Sequence, residues 1–172
     1  SVVEALRAEG VTIVHCPSDC MDFYAESAAR RRVLAAPQIA PPPDMAHTDP
    51  PLPIDTEGPF SDTDEPEWRG TDYAVEHNWY DGRDRPWWRQ HPGIRIDEQK
   101  DGISDQGPEV YSFLQASNVD TVLVMGVHTN MCILHRQDGT LSMSRWGFDV
   151  VVVRDEVDAM FNPNDAPYTD HA

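Results

Sequence analysis

Cys132 closes the segment Gly126-Val-His-Thr-Asn-Met-Cys132, directly after the apolar run Thr121-Val-Leu-Val-Met125. A thiol in that place has two readings. It can be a buried, inert cysteine that packs as a small hydrophobe. It can also be a nucleophile, because a cysteine at the start of a helix or turn meets unpaired backbone amides that favour the thiolate and can hold an oxyanion. Lys100 is the one lysine among thirteen Lys and Arg residues, which leaves twelve arginines. A lone lysine is ordinarily a solubilising surface charge. A chain that otherwise uses arginine and keeps one lysine points instead to a site needing a compact ammonium, expected to be buried, where a planar guanidinium fork does not fit. Around these two, Thr129, Asn130, His135 and Ser104 are the candidates for a substrate pocket. His128 and His135 flank the thiol and read equally as pocket-lining or surface histidines. Ser104 and Asp105 stand just before a helical pattern, so a capping role competes with a pocket role.

The elements that must hold these groups follow from periodicity. Ser1 to Gly10 is an amphipathic helical stretch, and Val11-Thr-Ile-Val-His15 reads as a buried strand. Phe23 to Ala36 has helical composition, with Arg30, Arg31 and Arg32 near its end, where cations suit the helix dipole, and Pro37 closes it. Ile94 to Asp97 alternates like a short strand, and Gly107 to Asn118 is helical with Val110, Phe113 and Leu114 on one face. Thr121 to Gly126 is nearly continuously apolar, as expected of a central parallel strand covered by helices on both sides, and Asp149 to Arg154 repeats the pattern. Strands alternating with helices predict an α/β protein built on an open parallel sheet flanked by helices. In such sheets ligands bind beyond the carboxyl ends of the strands, where Cys132 falls.

One domain is expected over all 172 residues, interrupted by an insertion from about 37 to 91. That stretch is rich in proline and acid and carries Trp68, Trp79, Trp87 and Trp88, so it reads as an ordered insertion that docks on a neighbouring surface. The net charge of −17 repels phosphate backbones and anionic lipid, which excludes nucleic acid and membrane as partners and leaves a small-molecule substrate. No apolar run approaches the roughly 18 residues of a spanning helix. Three cysteines leave one unpaired under any disulfide scheme, which favours a reducing, cytoplasmic compartment. His15 with Cys16, Asp19 and Cys20 lacks the spacing of a zinc site, so neither a metal nor a cofactor is expected.

Gly126-Val-His-Thr-Asn-Met-Cys-Ile-Leu134, followed by Gly147-Phe-Asp-Val-Val-Val-Val-Arg-Asp155, resembles the isochorismatase-like hydrolases, which include nicotinamidases and related amidases. The resemblance covers about 1 to 32 and 91 to 171. It implies a three-layer fold, a parallel sheet between helices, and a cysteine-dependent hydrolase acting on an amide or related C–N bond of a small molecule. It implies Cys132 as nucleophile and Lys100, in Ile96-Asp-Glu-Gln-Lys-Asp-Gly-Ile-Ser104, as its catalytic lysine. A cis bond between Val127 and His128 is implied too, with the amides of His128 and Cys132 forming an oxyanion hole. The family's general-base aspartate ends its first strand, and no residue here matches it. The opening helix corresponds to the segment after that strand, so strand and aspartate are expected upstream of Ser1. Family members commonly oligomerise, which makes a homo-oligomer the expectation. Vinyl-ether hydrolysis of the isochorismatase type and a non-catalytic binding module on the same fold are the alternatives.

Overall fold

The structure is a computed structural model that describes residues 1–43 and 88–159. Helix α1, Val2–Ala8, starts at a capping box: the Ser1 hydroxyl accepts from the Glu4 amide while the Glu4 side chain returns to the Ser1 backbone nitrogen. It buries none of its residues. Its anchor is Arg7, whose guanidinium donates to Asp101 Oδ1 and Oδ2 at 2.9 and 2.5 Å. Strand β1, Val14–His15, follows.

The sequence pattern from Phe23 to Ala36 resolves into two helices, α2 at Met21–Tyr24 and α3 at Ala28–Ala35. The break falls at Ser27, whose hydroxyl accepts from the Arg30 amide and so favours a new start over continuation. Glu98 strengthens that start, accepting from the Ala29 amide at 2.9 Å and from the Ser27 hydroxyl at 2.8 Å. Ala36 is extended, as the residue before Pro37 must be.

Strand β2 is Gly102–Ile103, and it pairs with β1 in parallel, Val14 opposite Gly102 and His15 opposite Ile103. Residues 94–97, expected as a strand, form none. Ile96 packs instead on the cluster of Cys20, Tyr24, Ala29 and Ile103. The fully buried Ile103 at its centre contributes about 1.5–3 kcal/mol. Helix α4, Gly107–Ala116, carries Pro108 in its first turn, where the missing amide costs nothing.

Strand β3, Thr121–Val127, pairs in parallel with β4, Asp149–Asp158, with a break in register between Val124 and Gly126. Between them lie a wide π-helical turn, Thr129–Ile133, and helix α5, Thr140–Arg145, which the sequence reading did not anticipate. Val110, Tyr111 and Leu114 of α4, Met143 of α5 and Phe148 form the main core. Val14 of β1, Val122 of β3 and Val150 of β4 all pack against it, so both strand pairs lean on one helical layer.

The protein is therefore mixed α/β with parallel strand pairing. Coverage of β3 on both faces is not what the structure has among the described residues. Val122 and its partner Val150 meet the helices, whereas Leu123 and its partner Val151 are 43% and 47% exposed. α4 and α5 supply one layer, and successive side chains of a strand point to opposite faces. No helix among the described residues is long and apolar enough to cross a membrane.

Both ends of the described core reach into the insertion. Ser112 Oγ of α4 accepts from the Ile39 amide at 3.0 Å and donates to the Ile39 carbonyl at 3.1 Å. Trp88 stands edge-on to Phe23, centroids 4.8 Å apart, with the Arg89 guanidinium over both rings. Trp68, Trp79 and Trp87 lie outside the described residues.

Candidate functional site

Cys132 is half-buried inside the π-helical turn that begins two residues after β3. The turn is organised by one carbonyl: His128 O accepts from both the Met131 and the Ile133 amides, each at 3.1 Å. The Val127–His128 peptide is cis, the one such bond in the described chain. Thr129, at the head of the turn, has its hydroxyl oxygen buried without a hydrogen-bond partner among the described residues. A buried hydroxyl left unpaired costs about 1–3 kcal/mol, so the turn is a costly piece of structure for packing alone. Asn130 is half-buried in the same turn, and His135 is exposed beyond it.

The turn is fastened to the carboxyl ends of β1 and β2 by the residues that follow it. Arg136 donates through Nη1 to the Cys16 carbonyl at 2.7 Å and through Nη2 to the Asp105 carbonyl at 3.1 Å. Arg136 Nε also stands 3.3 Å from Asp138 Oδ1, an ion-pair separation without hydrogen-bond geometry. Close backbone contact completes the joint. A Cβ on Gly107 would lie 2.4 Å from the Gln137 carbonyl oxygen, and one on Gly139 would lie 2.9 Å from those of Ile133 and Arg136. Only glycine allows either approach.

Beside this joint, burial pushes the Cys16 thiol well above its ordinary value, and the charge of Asp138 pushes the same way. Burial likewise raises the Asp138 carboxyl, against the opposing charge of Arg136. Cys16 is thus held protonated, the opposite of what a nucleophile needs. The sequence reading missed this pair, because nothing in the spacing of Cys16 and Asp138 signals their contact across 122 positions.

Lys100 is exposed, in the turn at 97–101 that leads into β2, with its amide on the Asp97 carbonyl at 3.0 Å. The buried site expected for its ammonium is not there. That turn enters the amino end of β2, whereas Arg136 reaches Asp105 beyond the carboxyl end. The neighbour is the buried group: Asp101 is 1% exposed and takes hydrogen bonds from Arg7, from His15 and from the Asp97 amide. Burial alone would raise its carboxyl, but those donors hold it below the usual carboxylate range.

Ser104 is completely buried, and its hydroxyl is saturated. It donates to Glu109 Oε2 at 2.5 Å, accepts from Arg30 at 3.1 Å and accepts from the Gln106 amide at 3.0 Å, bonds that tie down the approach to α4, whose N-cap residue is Gln106 and not Ser104. Among the described residues no group of three or more His, Cys, Asp or Glu is placed to hold a metal ion. No family model matches the chain, and neither does any curated protein or solved structure.

Proposed function

We propose that this protein is a cysteine-dependent hydrolase of isochorismatase-like type that cleaves an amide or related C–N bond in a small molecule, with Cys132 as nucleophile. The observation that carries the reading is the turn at 128–133. It sets a half-buried thiol just past the end of a parallel strand, in the same turn as a buried hydroxyl that no group among the described residues satisfies. In the proposed reaction the Cys132 thiol gives its proton to a carboxylate base and the sulfur attacks the carbonyl carbon. The amides of His128 and Cys132 take the developing negative charge, where one donor is worth about 2.7–4 kcal/mol. Collapse expels the amine with a proton. Water then attacks the thioester and releases the acid and the thiol.

The proposed fold is the three-layer, parallel-sheet form, with the base on a strand between β1 and β3. Three observations support that position. Among the described residues β1 and β3 each pair on one side only, Val14 and Val122 pack on the same cluster, and α1 buries none of its residues. Lys100 enters the proposal as the electropositive partner through the resemblance alone; its exposure gives that part no geometric support.

The test is ammonia release from a panel of small primary amides by the purified protein and by its Cys132→Ser variant, with mass spectrometry locating any trapped acyl group. The expected result is turnover lost in the variant and an adduct on the Cys132 peptide. Turnover that survives the substitution sinks the proposal.

A further inference from the structure

Arg136 is bonded to Cys132 through the main chain, its amide donating to the Cys132 carbonyl at 3.2 Å. Its own carbonyl accepts from the Gly139 amide at 2.8 Å and from the Ser142 hydroxyl of α5 at 3.3 Å. The backbone of this one residue therefore closes the Cys132 turn and joins it to the next helix. Its side chain leaves the turn altogether. Nη1 donates at 2.7 Å to the carbonyl of Cys16, the residue after β1, and Nη2 at 3.1 Å to the carbonyl of Asp105, just past β2.

These bonds lie mostly out of water. The Arg136 side chain is 21% exposed and Asp138, its ion-pair partner, 7%. Among the described residues β1–β2 and β3–β4 are separate sheets with no hydrogen-bonded ladder between them. Val14, Val122 and Val150 lean on one apolar cluster, but apolar packing is non-directional and does not set the height of one strand against another. Two hydrogen bonds from one rigid planar fork do set it. The carbonyls that the fork holds stand at the carboxyl ends of β1 and β2, the end at which open parallel sheets receive their ligands.

We propose that Arg136 is a positioning residue: it fixes the Cys132 sulfur at a set height above a substrate seated against the carboxyl ends of β1 and β2. That the tether serves a reaction rests on the reading of Cys132 as nucleophile. Arg136 does not touch the substrate; it acts through the turn. Attack needs the sulfur about 3–3.5 Å from the carbon, and a displacement on the order of 1 Å costs about 10²-fold in rate. Binding of the substrate against β1 and β2 does not depend on where the sulfur stands, so the loss falls on kcat and spares KM.

Arg136→Lys and Arg136→Gln test this, with kinetics expressed per folded molecule well below the melting transition. Lysine keeps the charge and the stem but meets only one of the two carbonyls, so it should not rescue. Both variants should lose roughly 10- to 100-fold in kcat while KM stays within about twofold. Hydrogen exchange at the Met131 and Ile133 amides should quicken by about tenfold or more, with the amides of α4 unchanged. Full kcat in Arg136→Lys overturns the proposal, and so does a loss in both variants that only follows their folded fraction. Failure of the hydrolase reading looks different, because the wild type then turns over no amide or Cys132→Ser keeps its turnover. Exchange then decides alone: quickening at Met131 and Ile133 in Arg136→Gln upholds the tether, and unchanged rates overturn it.

Discussion

Asp138, in the loop after the Cys132 turn, sets its carboxyl against Cys16, the residue after β1, and its charge adds to burial in pushing that thiol up. Arg136 spans the same gap from the other side, through the Cys16 carbonyl. The cysteine held protonated is therefore not the proposed nucleophile, and the three thiols should separate by reactivity.

Brief treatment of the native protein with iodoacetamide should label Cys132 first. Cys20 is buried, with its Sγ 3.6 Å from the Pro17 carbonyl, and Cys16 is held protonated by burial and by Asp138. Peptide mass spectrometry at short times reads the order. Labelling of Cys16 ahead of Cys132 would count against the nucleophile assignment.

Asp138→Asn should speed alkylation of Cys16 several-fold, because the substitution removes the charge that opposes the thiolate. It should also change the pH dependence of stability. The folded state raises the Asp138 carboxyl, so the native protein binds that proton more tightly than the unfolded chain does. Its contribution is complete below the ordinary carboxylate range and is lost as pH rises through the folded value. Urea titrations across that window should show a slope in the wild type that the asparagine variant reduces.

Asp101→Ala should cost about 3–5 kcal/mol, the usual loss on removing one partner of a buried charged network. Here Arg7 and His15 would be left without their carboxylate. The sign is opposite to that of Asp138. A carboxyl held low contributes stability above its unfolded value and loses it as pH falls through the folded one. Denaturant midpoints at neutral and acid pH should therefore differ less in the variant than in the wild type.

Lys100→Ala and Lys100→Arg should each leave stability within about 0.5 kcal/mol of the wild type, as expected for an exposed side chain. Thermal melts decide it. If turnover is found and falls in both variants while the melts stay unchanged, the lysine acts on the reaction and not on the fold.

Gly107→Ala should destabilise by about 1–3 kcal/mol, since the added methyl would sit 2.4 Å from the Gln137 carbonyl oxygen, a backbone atom with little freedom to move. The loss should appear in chemical denaturation, together with faster hydrogen exchange at the Arg136 and Gly139 amides, which close the turn around Cys132.

What the residues revealed in advance was mainly local. Thr121 to Val127 and Asp149 to Arg154 carry their strand pattern openly because the main chain pairs wherever β-branched side chains line up. Gly107 to Ala116 shows its helix through one apolar face. Ile94 to Asp97 alternates just as convincingly and forms no strand, since Arg7 takes the Arg95 carbonyl and Ile96 goes to the Tyr24 cluster. Ser27 split a helix that composition alone would run through, by offering its hydroxyl as a new cap. At the site, the position of Cys132 after a strand was legible. Asp101, which gathers Arg7 and His15 from 94 and 86 residues away, was not, because long-range polar partners leave no periodic trace.

Among the described residues each strand of the two-stranded sheets leaves a row of main-chain donors and acceptors along its unpaired side, and for β3 that row runs beside Leu123 and Val127, the latter 59% exposed. An open edge beside bare aliphatic side chains is a template for another chain to add to. In solution the two alternatives part by mass: an edge taken by the strand proposed between β1 and β3 leaves the mass independent of concentration, whereas a bare edge pairs β3 with β3 of a second copy about a two-fold axis and closes as a dimer. In the second case a charge on the exposed face beside that edge, as in Leu123→Lys, should return the protein to single copies while leaving the core on the opposite face intact.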